Sequence, residues 1–227
     1  MTDALAGLVA AAVAFVGTHF ALSHPLRAPL VRWAGDKGFQ AIYSLVAFAT
    51  FGWLVMAFRA AGGGVMLWDG FANLPWIAAT VLMLVASVLL VGSFMGNPAL
   101  PAPNAAAVAA RGPHGVFHVT RHPMMWSFAL WSVSHLLVSP TPRVIVLTLA
   151  IAVLALVGSH LQDRKKQVLM GPAWADWQAK TSYWPRPGGL AKAGAVPWLG
   201  GTALWLVASW AHGPLVAIPA GLWRWIG

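Results

Sequence analysis

The chain has 227 residues, of which 59% are hydrophobic and only 8% charged. Soluble domains carry about 25% charged residues, so this composition excludes a water-soluble globule. The net charge of +9 does not point to nucleic acid, because in a membrane chain the bases have to be counted loop by loop. Cysteine is absent, which removes disulfides, thiolate metal ligands, iron–sulfur ligation and cysteine nucleophiles from consideration and leaves eight histidines as the metal-binding side chains of interest.

Apolar stretches of roughly helix-spanning length fall at 4–24, 39–58, 73–94, 123–139, 144–161 and 198–223. The expected fold class is therefore all-α, a polytopic transmembrane bundle of about six helices. The first stretch reads as a retained helix and not as a signal peptide. Met1-Thr2-Asp3 lacks positive charge, and the run ends in His24-Pro25-Leu26-Arg27 without a small-residue cleavage site. The fourth stretch is short, and the sixth is interrupted by Gly213-Pro214. Pro98 to Ala110 is a Pro/Ala-rich linker leading into the third connection, and residues 162–196 form the one sizeable polar segment.

The basic residues are distributed unevenly among the connections. The first holds Arg27, Arg32 and Lys37, the third Arg111 and Arg121, and the fifth Arg164, Lys165, Lys166, Lys180, Arg186 and Lys192. Only Arg59, Arg143 and Arg224 belong to the opposite side. This asymmetry predicts odd connections in the cytoplasm and a multi-pass protein of a bacterial-type inner membrane.

Histidines in apolar helices are costly and usually face a bundle interior, so each is a candidate ligand. A lone histidine can equally hydrogen-bond to a neighbouring helix. His19 and His24 end the first span, His114, His118 and His122 lead into the fourth, His135 lies within it, His160 closes the fifth and His212 sits in the sixth. At 1.5 Å rise per residue, His19 lies roughly 8 Å inside the cytoplasmic face and His135 roughly 20 Å from it. His118 and His122 share a face only if the intervening stretch is helical.

Thr120-Arg121-His122-Pro123-Met124-Met125-Trp126 stands at the entrance to the fourth span. Proline suits the first helical position, and an N-terminus with an adjacent guanidinium suits an anion. Interfacial anchoring, with Arg121 meeting lipid phosphate and Trp126 at headgroup level, is the competing reading.

Arg121-His122-Pro123, followed by two spans and a polar segment containing Gly171, Trp174, Trp177 and Tyr183-Trp184-Pro185-Arg186, distantly resembles the isoprenylcysteine and phospholipid methyltransferases. A closer resemblance covers residues 10–190. Gly17-Thr18-His19, Gly35-Asp36-Lys37-Gly38-Phe39, Tyr43-Ser44-Leu45, Leu67-Trp68-Asp69-Gly70, Leu130-Trp131-Ser132-Val133-Ser134-His135-Leu136 and Trp174 to Ser182 are similar to the NnrU family, which includes plant 15-cis-zeta-carotene isomerase. On this basis residues 1–196 read as an NnrU-like membrane domain and 197–227 as a C-terminal transmembrane helix or helical hairpin.

The NnrU resemblance implies haem b, with His19 and His135 as iron ligands and Arg121 and His122 as further cofactor-binding residues. A serine, Ser132, stands where the plant enzyme has a cysteine, so exchange between thiolate and imidazole ligation is not expected. Two imidazoles from separate helices suit haem iron, and Arg27, Arg32 or Arg121 could pair with propionates. The implied activity is a redox-dependent cis–trans isomerisation of a hydrophobic isoprenoid or polyene, such as a zeta-carotene-like carotenoid, or a denitrification-linked haem role. The methyltransferase resemblance implies instead S-adenosylmethionine, its carboxylate at Arg121 and His122, although the acidic pair of those enzymes is replaced by Gln162-Asp163-Arg164. A non-catalytic assembly subunit is the third reading. In every case membrane lipid surrounds the chain.

Overall fold

The structure is a computed structural model that describes residues 2–226. All regular elements among these residues are helical: α1 Asp3–Ser23, α2 Arg27–Ala60, α3 Asn73–Gly92, α4 Ala105–Ala110, α5 Pro123–Val138, α6 Pro142–Met170, α7 Pro172–Lys180, α8 Ala195–Val216 and α9 Trp223–Ile226, with 3-10 turns at Gly115–His118 and Pro187–Lys192. Four of them, α1, α2, α3 and α6, are long and apolar enough to cross a membrane, and α5 is a shorter apolar helix.

Local chemistry sets most boundaries. The Thr2 hydroxyl caps α1 by accepting from the Leu5 amide. Within α2 the helix breaks at Gly35, whose φ of 72° is open to glycine and strained for residues with a Cβ. The break separates a short first segment bearing Arg27, Arg32 and exposed Trp33 from the apolar run that follows.

Three helices differ from the sequence reading: α2 begins at Arg27 and not near 39, and the ends of α6 and α8 shift. The fifth apolar run ends near 161, yet α6 continues to Met170, because nothing between 162 and 170 breaks a helix before Gly171 with its φ of 53°. At 29 residues α6 is about 44 Å long, so it exceeds an approximately 30 Å hydrocarbon layer. The last helix tolerates Pro214 in its final turn and stops at Val216, where Ala217 adopts the left-handed conformation. The chain then returns, with the Trp76 indole donating to the Gly221 carbonyl and the Trp223 indole to the Ser209 hydroxyl.

The chain forms two compact units, one of residues 1–69 and 139–154, the other of 70–138 and 155–227. In the first, Leu8, Ala11, Ala12 and Phe15 present one face of α1 to Leu54 and Ala150. Their three- and four-residue spacing is that of a single helical stripe. In the second, α5 and α8 each pack along α3. Its core gathers Val88, Leu89, Val116, Phe117, Trp174 and Trp177. Close approach there depends on small residues: a Cβ on Gly92 would strike the Val116 side chain, and one on Gly201 the Val88 backbone.

Candidate functional site

The Arg121-His122-Pro123 motif forms a closed polar cluster in the second unit. Arg121 Nε donates to Asp163 Oδ2 at 2.9 Å and Oδ1 at 3.1 Å, and Nη2 donates to Oδ2 at 2.6 Å. His122 Nε2 lies 2.9 Å from Asp163 Oδ1, and the His122 side chain is fully buried. The anion facing the Arg121 guanidinium is thus the chain's own Asp163, delivered by the extension of α6. His122 Nδ1 is buried without a hydrogen-bond partner.

The segment 181–186 locks this cluster in place. The Tyr183 carbonyl accepts from both the Thr120 hydroxyl and the Trp126 indole, each at 2.8 Å. The Arg121 amide donates to the Ser182 carbonyl, and the Arg186 amide to the Val119 carbonyl. The Tyr183 ring stands edge-on to His122 and 5.5 Å from the Arg121 guanidinium carbon, while its hydroxyl donates to the Leu156 carbonyl. Burial, together with the negative charge of Asp163, raises the phenol above its ordinary pKa. The Trp126 indole is therefore committed to an internal bond.

Three histidines in apolar helices share another arrangement. His19 Nδ1 lies 2.7 Å from the Phe15 carbonyl, His135 Nδ1 2.8 Å from the Trp131 carbonyl and His212 Nδ1 2.8 Å from the Ala208 carbonyl. A carbonyl can only accept, so each Nδ1 carries a proton, and in the neutral form of the ring the lone pair is on Nε2. None of these Nε2 atoms has a hydrogen bond among the described residues. This is the tautomer that a metal-ligating histidine takes when a backbone carbonyl orients it.

The surroundings of the three rings differ. In the first unit Phe15 packs against His19 with centroids 4.4 Å apart, and Tyr43 meets it edge-on at 5.6 Å. Arg27 lies over Phe39, which in turn packs against Tyr43. In the second unit Trp131 stacks on His135 at 4.1 Å, and the His212 ring stands 6.2 Å from it. The Ser132 hydroxyl donates to the Phe128 carbonyl and is buried.

The remaining histidines serve other ends. His114 reaches the Met95 and Gly112 carbonyls and pins the linker. His118 closes a 3-10 turn and His122 precedes α5, so the two do not share a helical face. Burial, with Lys192 adding to it, lowers the His118 pKa. The His24 amide donates to Phe20 at the end of α1, and His160 is an exposed residue of α6. Among the described residues no group of three or more histidines and carboxylates is placed to hold a metal ion.

Sequence reasoning named Asp163 and His212 but assigned neither to a site. Asp163 is one of only five acidic residues, and that scarcity was the signal that could have found it. His212 was visible as a histidine within an apolar run, but nothing in linear spacing relates it to His135.

Neither any curated protein nor any solved structure matches the chain. A family match does cover nearly all of it: residues 7–220 fit the family described as NnrU protein, spanning both compact units, the Arg121–Asp163 cluster and the three carbonyl-oriented histidines, and the chain belongs to the NnrU family.

Proposed function

We propose that the protein is a multi-pass haem b protein of the bacterial inner membrane that acts on a hydrophobic polyene. The observation that carries this reading is the preset tautomer of His135, whose Nδ1–H is tied to the Trp131 carbonyl and whose Nε2 is left for iron, an arrangement that His19 repeats in the first unit. The surrounding residues fit a flat apolar group. Trp131 covers one face of His135, and in the first unit Phe15 and Tyr43 flank His19.

Bound haem would supply one-electron exchange with a conjugated substrate. His135 would hold iron through Nε2, and the Trp131 carbonyl fixes its ring orientation. The apolar helices would dissolve the polyene and exclude water. Buried Ser132 offers no thiolate, so no redox-driven switch to sulfur ligation operates here.

The methyltransferase reading requires a guanidinium for the carboxylate of S-adenosylmethionine. In this chain Asp163 closes the Arg121 fork, so an incoming carboxylate would have to displace an internal one.

Absorption spectroscopy of the purified protein tests the proposal. A Soret band that scales with protein, a pyridine haemochrome of the b type and loss of haem in His135→Ala are expected. A colourless protein that also fails to take up added haemin would overturn it.

A further inference from the structure

His135 and His212 belong to different helices of the same compact unit, and their ring centroids lie 6.2 Å apart with planes inclined by 36°. Both are half-buried, and both Nδ1–H groups are spent on the carbonyl four residues earlier. Both Nε2 atoms are consequently bare acceptors. Two lone pairs cannot hydrogen-bond to one another, and neither finds a donor among the described residues.

A metal centre satisfies both. With a metal–nitrogen bond of about 2.0 Å and a ring centre about 1 Å beyond each nitrogen, two imidazoles on opposite sides of one metal have centroids roughly 6 Å apart. The observed separation has that value. Both helices pack along α3, which brings the two rings together. Trp131 covers one side of the His135 ring and fixes its rotation.

We propose that His212 is the second ligand of a metal centre at His135, so that His135 and His212 clasp one metal between α5 and α8. The proposal depends on the haem reading only for the identity of the metal. Under it, the partner of His135 comes from α8 and not from His19. The chemistry is that of a metal taking two neutral imidazoles, either haem iron or a bare divalent ion such as Cu(II).

The full chain, purified in detergent with its affinity tag removed, is loaded with haemin and, separately, with Cu(II). The parent and the variants His135→Ala, His212→Ala, His212→Gln and His19→Ala are compared by optical and electron paramagnetic resonance spectra. The expected results are a six-coordinate low-spin haem in the parent and in His19→Ala, a high-spin haem in both His212 variants, and return of the low-spin spectrum when free imidazole is added to His212→Ala. That return shows that the alanine variant is folded around an open coordination position.

Low-spin haem in both His212 variants, or high-spin haem in the parent, overturns the pair and leaves the haem reading standing. A parent that rejects haemin but binds Cu(II) with nitrogen couplings lost in both the His135 and His212 variants supports the pair and removes the haem reading. A parent that takes up neither probe removes both.

Discussion

His122 Nε2 and Asp163 Oδ1 lie 2.9 Å apart in a cluster in which Arg121 grips the same carboxylate with two nitrogens. One acid therefore organises two basic side chains that both come from the turn before α5. The Arg121 and Asp163 side chains are only 12% and 9% exposed, so neither can recover much hydration if its partner is lost. Removal of one member of such a pair costs about 3 kcal/mol, since a charge is left buried without compensation. Asp163→Asn should lower unfolding stability by about that amount. A thermal or denaturant unfolding curve in detergent checks it, and an unchanged midpoint would show that the pair contributes nothing.

Arg121→Lys separates charge from shape. An ammonium retains the charge but cannot place two donors along one carboxylate edge, as Nε and Nη2 do on Asp163 Oδ2. Stability should fall in the order parent, Arg121→Lys, Arg121→Ala, with the lysine variant losing about 1 kcal/mol, the value of one hydrogen bond. In the double variant Arg121→Ala/Asp163→Ala the loss should be smaller than the sum of the single losses. Additive losses would mean that the two residues do not couple.

The bundle was legible in the sequence because lipid solvation imposes apolar runs of a minimum length, and α1, α3 and α5 coincide with three of them closely. The end of α6 was not, because hydropathy reports where the membrane stops and not where the backbone hydrogen bonds stop. Asp163 consequently read as a loop residue when it is a helical one. The Arg-His-Pro motif marked the start of α5 through its proline. Its anionic partner could not be read, because Asp163 is 42 positions away from Arg121. His135 and His212 illustrate the same division. Each is conspicuous in an apolar run, while their mutual approach is a tertiary fact created by packing of α5 and α8 on α3.

The basic residues give an independent prediction about orientation. With eleven Lys and Arg on the first, third and fifth connections and three elsewhere, those connections should face the cytoplasm. Lys180, exposed at the end of α7, is a suitable reporter. In intact cells Lys180→Cys should resist a membrane-impermeant thiol reagent and should react once the membrane is opened. Labelling of intact cells at the same rate as of opened membranes would invert the topology.

Gly201 and Gly7 provide a matched test of how α8 is seated. Both lie within helices, so alanine should improve intrinsic helix propensity by about 1 kcal/mol at either position. Their surroundings differ. Around Gly7 a Cβ would meet nothing within 4 Å, whereas at Gly201 it would collide with the Val88 Cα and amide nitrogen. Backbone atoms in a packed helix cannot turn aside as a flexible side chain can, so Gly201→Ala has to move α8 away from α3. Such overpacking costs about 1–3 kcal/mol, enough to cancel the propensity gain or exceed it. Gly7→Ala should be neutral or stabilising and Gly201→Ala destabilising, as read from unfolding midpoints in the same detergent. Because His212 rides on α8, Gly201→Ala should also broaden the spectrum of any metal held between His135 and His212, while Gly7→Ala should leave it unchanged. Equal midpoints for the two variants would mean that α3 and α8 are not in close backbone contact.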